Sequence, residues 1–97
     1  MDEIIDRFED YLKANSLCAL TIHGYSFDAA QFIDWSEANG ISLNLVTPEN
    51  AAQYLDYLVA SHHEIRPGVM GTYSSRTIMK KITAVRSFFE FLRVDNE

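Results

Sequence analysis

The chain has 97 residues, of which 47% are hydrophobic and 12% aromatic, a composition that excludes a disordered segment and favours one folded domain. No apolar run approaches the roughly 20 residues of a membrane span, and because the start MDEIIDR is acidic we expect no signal peptide. The net charge of −6 argues against indiscriminate nucleic-acid binding, and the single cysteine, Cys18, cannot form an internal disulfide and fits the reducing cytoplasm that we expect.

Helical periodicity defines the first two elements. Apolar residues repeating every three or four positions predict a first helix from about Asp2 to Ala14. The same pattern predicts a second helix from Ala19 or Thr21 to Ala38, where Thr21 fits either the N-cap or the first turn. The following Asn39-Gly40 is a stop signal, because Gly40 suits the left-handed position after a helix.

A Thr-Pro start defines the third helix. Thr47 as N-cap and Pro48 at the first helical position predict a helix from Pro48 to about Ser61. Its inward-facing residues are predicted to be Ala51, Leu55, Leu58 and Val59, with Tyr54 at the edge. The segment 62–73 contains Pro67, Gly68 and Gly71 and is predicted to be a loop. Since no strand pattern occurs, we predict a single all-α domain of four helices.

The last helix is predicted over Ser74 to Arg93, with Ser74 or Ser75 as its N-cap. Its two faces differ in chemistry. The apolar stripe comprises Ile78, Ile82, Val85, Phe89 and Leu92. The opposite face carries Arg76, Lys80, Thr83 and Ser87. We therefore predict a helix that packs its apolar side on the core and presents cations and hydroxyls to a ligand.

The charges are unevenly distributed along the chain. Residues 1–61 hold ten acids and two bases, a net charge of −8, whereas residues 66–93 hold six bases and one acid, a net charge of +5. The positive stretch coincides with the last helix. Such a cluster is either a solvated helix face or a contact surface for phosphates, and charge patterning alone leaves both open.

No metal, cofactor or catalytic site is predicted. His62, His63 and Glu64 are adjacent, but neighbouring histidines on a helix point about 100° apart, unlike the i, i+4 pair of a zinc helix. Cys18 and His23 are far away in sequence. A phosphate-binding glycine loop, a nucleophile elbow and a carboxylate pair suited to acid–base chemistry are not found in the sequence.

Two segments together resemble a known family. The first is LCALTIHGY, residues 17–25, followed by Asp28, Phe32 and Trp35; the second is SRTI, residues 75–78, leading into ITAVRSFFEFL, residues 82–92. Their order and spacing resemble the N-terminal SAM-like, core-binding domain of tyrosine recombinases, the phage-integrase and Xer-type enzymes. The resemblance covers roughly residues 3–94.

The resemblance implies a four-helix SAM-like orthogonal bundle that binds double-stranded DNA. It places Thr21 and Tyr25 at phosphates near the start of the second helix. It places five residues on the DNA side of the last helix: Arg76, Thr77, Lys80, Thr83 and Arg86. The catalytic residues of the family belong to a C-terminal domain, so we expect residues 1–97 to be a non-enzymatic part of a recombinase that assembles as a homo-tetramer on DNA.

Several of these residues have a second interpretation. N-capping alone explains Thr21, and the ring of Tyr25 fits the core with only its hydroxyl available. Lys81 could extend over the core as readily as contact DNA, and Arg86 could pair with an acid of another helix. Phe27 and Phe91 lie off their helices' apolar stripes and are predicted to be exposed.

A second function of another class stays open. The acidic first 61 residues and two predicted exposed phenylalanines also fit a helical protein–protein interaction module with no nucleic-acid role.

Overall fold

The computed structural model describes the backbone of residues 2–95 and the side chains of residues 3–61 and 66–95. Its elements in chain order are α1 (Asp2–Ala14), α2 (Ala19–Ala38), a 3-10 turn (Leu43–Leu45), α3 (Pro48–Ala60), β1 (His62–Arg66), β2 (Val69–Thr72) and α4 (Ser75–Asp95). The four predicted helices are all present, with ends within two residues of the predicted ones. The all-α, SAM-like four-helix class is confirmed.

Between α3 and α4 the chain forms a β-hairpin, so the prediction of a loop without strands was wrong. β1 and β2 pair antiparallel, with His62 opposite Thr72 and Arg66 opposite Val69. Gly68, in the turn between the strands, has φ +77°, a left-handed conformation that glycine adopts without strain. A strand can be recognised from alternating polar and apolar residues only when one of its faces is buried. A two-stranded hairpin buries little surface, so its sequence need not alternate.

Local hydrogen bonds explain where α3 and α4 begin. The backbone N–H of Thr77 donates to Ser74 Oγ at 3.2 Å, which makes Ser74 the N-cap of α4. At α3, the backbone N–H of Thr47 donates to Asn50 Oδ1 at 2.8 Å, and Pro48 occupies the first helical position. Both starts were predicted from the sequence, because capping depends on residues within one turn.

Each helix contributes one fully buried aromatic ring to the core. The rings of Phe8 (α1), Phe32 (α2), Tyr54 (α3) and Phe88 (α4) each have 0% exposure. Phe8 meets Phe88 edge to face at 5.2 Å between ring centroids, and Phe32 meets Tyr54 edge to face at 5.1 Å. Such pairs contribute about 0.5–1.5 kcal/mol each beyond the area that they bury.

The buried faces of α3 and α4 differ from the predicted stripes. Tyr54, predicted at the edge, is fully buried, whereas Leu55 and Val59, predicted inward, are 37% and 57% exposed. Phe91, predicted exposed, has only 3% exposure because it packs against the ring of Phe8 at 5.4 Å. The stripe of α4 is wider than predicted because three other helices contact it from different directions.

A buried polar cluster joins α2 to α4. Lys81 Nζ lies 2.8 Å from Asp28 Oδ1 and donates to Gln31 Oε1 at 2.6 Å. Gln31 Nε2 in turn donates to the hydroxyl of Tyr73 at 3.1 Å, at the exit of the hairpin. The Lys81 side chain is only 9% exposed. Neither predicted role of Lys81, extension over the core or DNA contact, is what the structure shows, because an acid of α2 neutralises it in the interior.

Replacing the core ring of α4 tests the packing. We expect Phe88→Ala to lower the free energy of unfolding by about 3–5 kcal/mol, because a fully buried ring is lost and a cavity remains. Phe27→Ala is the matched control: Phe27 is 66% exposed and should lose less than about 1 kcal/mol. Urea unfolding followed by circular dichroism measures both, and equal losses would contradict the burial described above.

The Lys81–Asp28 pair gives a second prediction. Lys81→Met leaves the Asp28 carboxylate buried without its partner, so the free energy of unfolding should fall by about 3–5 kcal/mol. Replacing both residues, Lys81→Met with Asp28→Leu, should recover most of that loss, because no unpaired charge remains. A double-mutant cycle in urea measures the coupling between the residues; additive losses would show that the pair is not coupled.

Candidate nucleic-acid interface

A surface groove of about 530 Å³ lies between the N-terminal halves of α2 and α4. We call it the α2–α4 groove. It is lined by Thr21 and Tyr25 from α2 and by Ser75, Arg76, Met79, Lys80 and Thr83 from α4. Five of the seven predicted DNA contacts therefore share one groove, although the two segments lie more than 50 residues apart in the chain.

The cations of the groove have no acidic neighbour. Arg76 and Lys80 are exposed, and within the described side chains no carboxylate lies within 4.0 Å of either. They are four residues apart, so their side chains leave the same face of α4. By contrast, Lys81 pairs with Asp28, and Arg93 pairs with an acid of its own helix. Two of the six bases of the positive stretch are thus neutralised within the fold.

The hydroxyl groups of the groove differ in what they can still donate. Thr83 Oγ1 donates to the backbone carbonyl of Met79 at 2.8 Å, so its hydrogen is used within the helix and its oxygen can only accept. Thr21 Oγ1 lies 3.2 Å from Cys18 Sγ, and this hydrogen bond lowers the pKa of the Cys18 thiol below its ordinary value. Of these two threonines, Thr21 alone can turn its hydroxyl hydrogen towards a phosphate, at the expense of the contact with Cys18.

Thr21 and Tyr25 both line the groove but relate differently to the fold. Cys18 occupies the N-cap of α2, so Thr21 lies in the first turn and is not the cap. Tyr25 is half-buried and packs against the core cluster while also lining the groove. Its ring is thus held by the fold, which leaves the outer part of the side chain for a ligand.

Thr77 and Arg86 do not line the α2–α4 groove. Thr77 Oγ1 accepts from Ser74 Oγ at 3.0 Å and belongs to the cap of α4. Arg86 lines a separate, mostly apolar groove of about 720 Å³ between α3 and α4. No described carboxylate lies within 4.0 Å of Arg86 either, so the suggested pairing with an acid of another helix is not seen. At 100° per residue, Arg86 lies about 80° around the helix from Arg76.

Two residues of the groove, Ser75 and Met79, were not among the predicted contacts, and Met79 was not singled out for any role. Met79 is 68% exposed between Arg76 and Thr83 on the outer face of α4. Its position three residues after Arg76 and four before Thr83 was the available signal, because residues at that spacing share one helix face. Met79 was not predicted because the DNA-binding face of α4 was identified from its charged and hydroxyl-bearing residues. Phe27, predicted exposed, is confirmed at 66% exposure.

Metal binding and membrane insertion are not indicated by the described residues. Among their side chains, no group of three His, Cys, Asp or Glu residues could hold a metal ion. The side chains of His62, His63 and Glu64, considered above for a metal, lie outside those that the structure describes. None of the described helices is both long and apolar enough to cross a bilayer.

The comparison with protein families agrees with this geometry. The family model of the phage integrase N-terminal SAM-like domain matches residues 5–96, nearly the whole chain. Neither the curated proteins nor the solved structures contain a match. The match spans all four helices and both segments on which the resemblance depended. The chain therefore belongs to the phage integrase N-terminal SAM-like domains, the non-catalytic N-terminal part of tyrosine recombinases.

Proposed function

We propose that this domain binds double-stranded DNA through the α2–α4 groove and positions the duplex for strand exchange by a catalytic domain of the same parent chain. The observation that carries the proposal is the pair of exposed cations, Arg76 and Lys80, which have no acidic partner among the described side chains and lie beside the hydroxyls of Thr21 and Tyr25. Cations and hydroxyls are the groups that donate to phosphate oxygens.

The acidic part of the chain supports one orientation on DNA. Residues 1–61 carry a net charge of −8, and α1 holds five of their ten acids. A phosphate backbone is repelled by that surface and attracted to the cationic part of α4. Since exposed charges act over about 10 Å at moderate salt, local charge rather than the net −6 governs the contact.

The dimensions of α4 also suit a duplex. An α-helix with its side chains fits the major groove, which is about 12 Å wide. Met79, 68% exposed, lies on the part of α4 turned away from the core. Arg76 and Lys80, which flank Met79, would contact the phosphates along the edges of the DNA major groove. This arrangement separates backbone contacts from base contacts along one helix.

Family membership suggests the wider context of the domain. We propose that the parent recombinase works in the cytoplasm as a homo-tetramer on DNA. The reaction itself, strand cleavage and rejoining, would belong to the catalytic domain.

One observation favours the other candidate function, a protein–protein interaction module. The groove between α3 and α4 is lined mainly by apolar residues, including Leu43, Leu55 and Phe89. Titration of a duplex at low salt separates the two functions, because electrostatic attraction to DNA is largest there. Absence of binding at low salt would favour the protein–protein module.

Removing either groove cation should weaken DNA binding. We expect Arg76→Ala and Lys80→Ala each to lower the slope of log affinity against log salt by about one. The wild-type slope itself should be only about 2–3, because just two cations, Arg76 and Lys80, line the groove. Fluorescence anisotropy of a labelled duplex between roughly 50 and 200 mM salt measures both quantities.

Lys13→Ala is the matched control. It also removes one exposed cation, but Lys13 lies in the last turn of α1, outside the α2–α4 groove. The slope of log affinity against log salt for Lys13→Ala should equal that of the wild type. If Arg76→Ala and Lys80→Ala also leave affinity and slope unchanged, α4 is not part of a DNA interface.

Arg86 tests how far the interface extends. Arg86 lies about 15 Å further along α4 than Arg76 and about 80° around it. Because it lines the other groove, we expect Arg86→Ala to change the salt slope by less than about half a unit. An effect as large as that of Arg76→Ala in the same anisotropy measurement would extend the DNA contact along the whole of α4.

A further inference from the structure

Met79 is a large apolar side chain in the middle of a cationic groove. It is 68% exposed, whereas Phe88, nine residues further on, has 0% exposure. Nine residues at 100° each amount to about half a turn, so Met79 lies on the side of α4 opposite the core. Its position is therefore not explained by packing within the domain.

The nearest helical neighbours of Met79 suggest what the groove can recognise. Arg76 and Lys80 flank it with exposed positive charges suited to phosphates. Thr83, four residues further on, has given its hydrogen to the carbonyl of Met79 at 2.8 Å, so its oxygen is an acceptor. A phosphate diester has no hydrogen to donate and no apolar surface. Neither Met79 nor Thr83 is therefore matched to the backbone phosphates.

The edge of a base pair supplies both missing features. In the major groove, an A·T pair presents the C5-methyl group of thymine and the N6 amino group of adenine, which is a donor. A G·C pair also presents an amino donor, on cytosine, but no methyl group. An apolar side chain next to an acceptor oxygen thus complements A·T better than G·C.

On the basis of the proposed function, we propose that Met79 and Thr83 determine sequence preference and favour an A·T pair. Met79 packs against the thymine methyl group, and Thr83 Oγ1 accepts from the adenine N6 amino group. Arg76 and Lys80 hold the helix in place through the flanking phosphates. The two kinds of contact are separable by experiment, because only one of them depends on salt.

The methyl contact is tested with two duplexes that differ by that group alone. An alternating dA·dT duplex carries the C5-methyl group, and the matching dA·dU duplex lacks it. We expect the wild-type domain to bind the dA·dT duplex about threefold more tightly, the change for burying one methyl group. Fluorescence anisotropy at low salt measures the ratio of the two dissociation constants.

Two methionine variants distinguish a methyl contact from a difference in duplex shape. In Met79→Ala the ratio should fall to about one, with an unchanged salt slope, because no phosphate contact is lost. Met70→Ala is the matched control, since Met70 is 60% exposed on β2 and does not line the groove. It should keep the wild-type ratio. A wild-type ratio of one, or a Met79→Ala ratio equal to that of the wild type, overturns the role of Met79.

Thr83→Val tests the acceptor separately. It keeps the shape of the side chain and removes the oxygen, so affinity for both duplexes should fall by about threefold to tenfold with the ratio between them unchanged. Unchanged affinity overturns the role of Thr83. If the wild-type domain binds neither duplex at low salt, the DNA-binding function itself fails, whereas binding without a methyl effect overturns only the specificity proposed here.

Discussion

The buried ion pair between Lys81 and Asp28 is the interaction on which the arrangement of α2 and α4 depends. The atoms Nζ and Oδ1 are 2.8 Å apart, and both side chains are almost removed from solvent. An unpaired charge in that place would cost several kcal/mol, so the two helices can pack only in a register that brings the partners together. Lys81 follows Lys80 directly, and Asp28 lies one turn from Tyr25. The pair that joins the helices therefore also positions the two walls of the α2–α4 groove.

The same pair decides which charges reach the surface. Within the described residues, Lys81 and Arg93 are neutralised by acids, whereas Arg76 and Lys80 are not. The electrostatic surface of α4 is consequently smaller than its count of basic residues indicates, and it is concentrated at the groove. An acidic protein with a net charge of −6 can still present a cationic contact surface in this way. Binding that depends on few cations is expected to be moderate in strength and to rely on contacts other than charge.

The aromatic core and the hairpin explain how so small a domain supports this surface. One fully buried ring from each helix meets at the centre, which stabilises the bundle without a disulfide. The hairpin brings Tyr73 to the polar cluster, where its hydroxyl accepts from Gln31 at 3.1 Å. The ring of Tyr73 also lies 5.3 Å from Lys81 Nζ, a cation–π distance. The element that was absent from the prediction thus helps to hold α4 in position.

Features that depend on nearby residues could be predicted from the sequence: four helices, a cap at Thr47, a cap at Ser74 or Ser75, and the segments that indicate the family. Periodicity and capping act within one or two turns, so they can be recognised without knowing what lies across the core. Three features came from the packed fold alone: Tyr54 is buried, Lys81 is neutralised, and Arg86 lies at a different groove from Arg76. Each of these depends on partners distant in the chain; Asp28, for example, is 53 residues from Lys81. Burial and pairing are properties of the packed arrangement, and a pattern along one helix does not contain them.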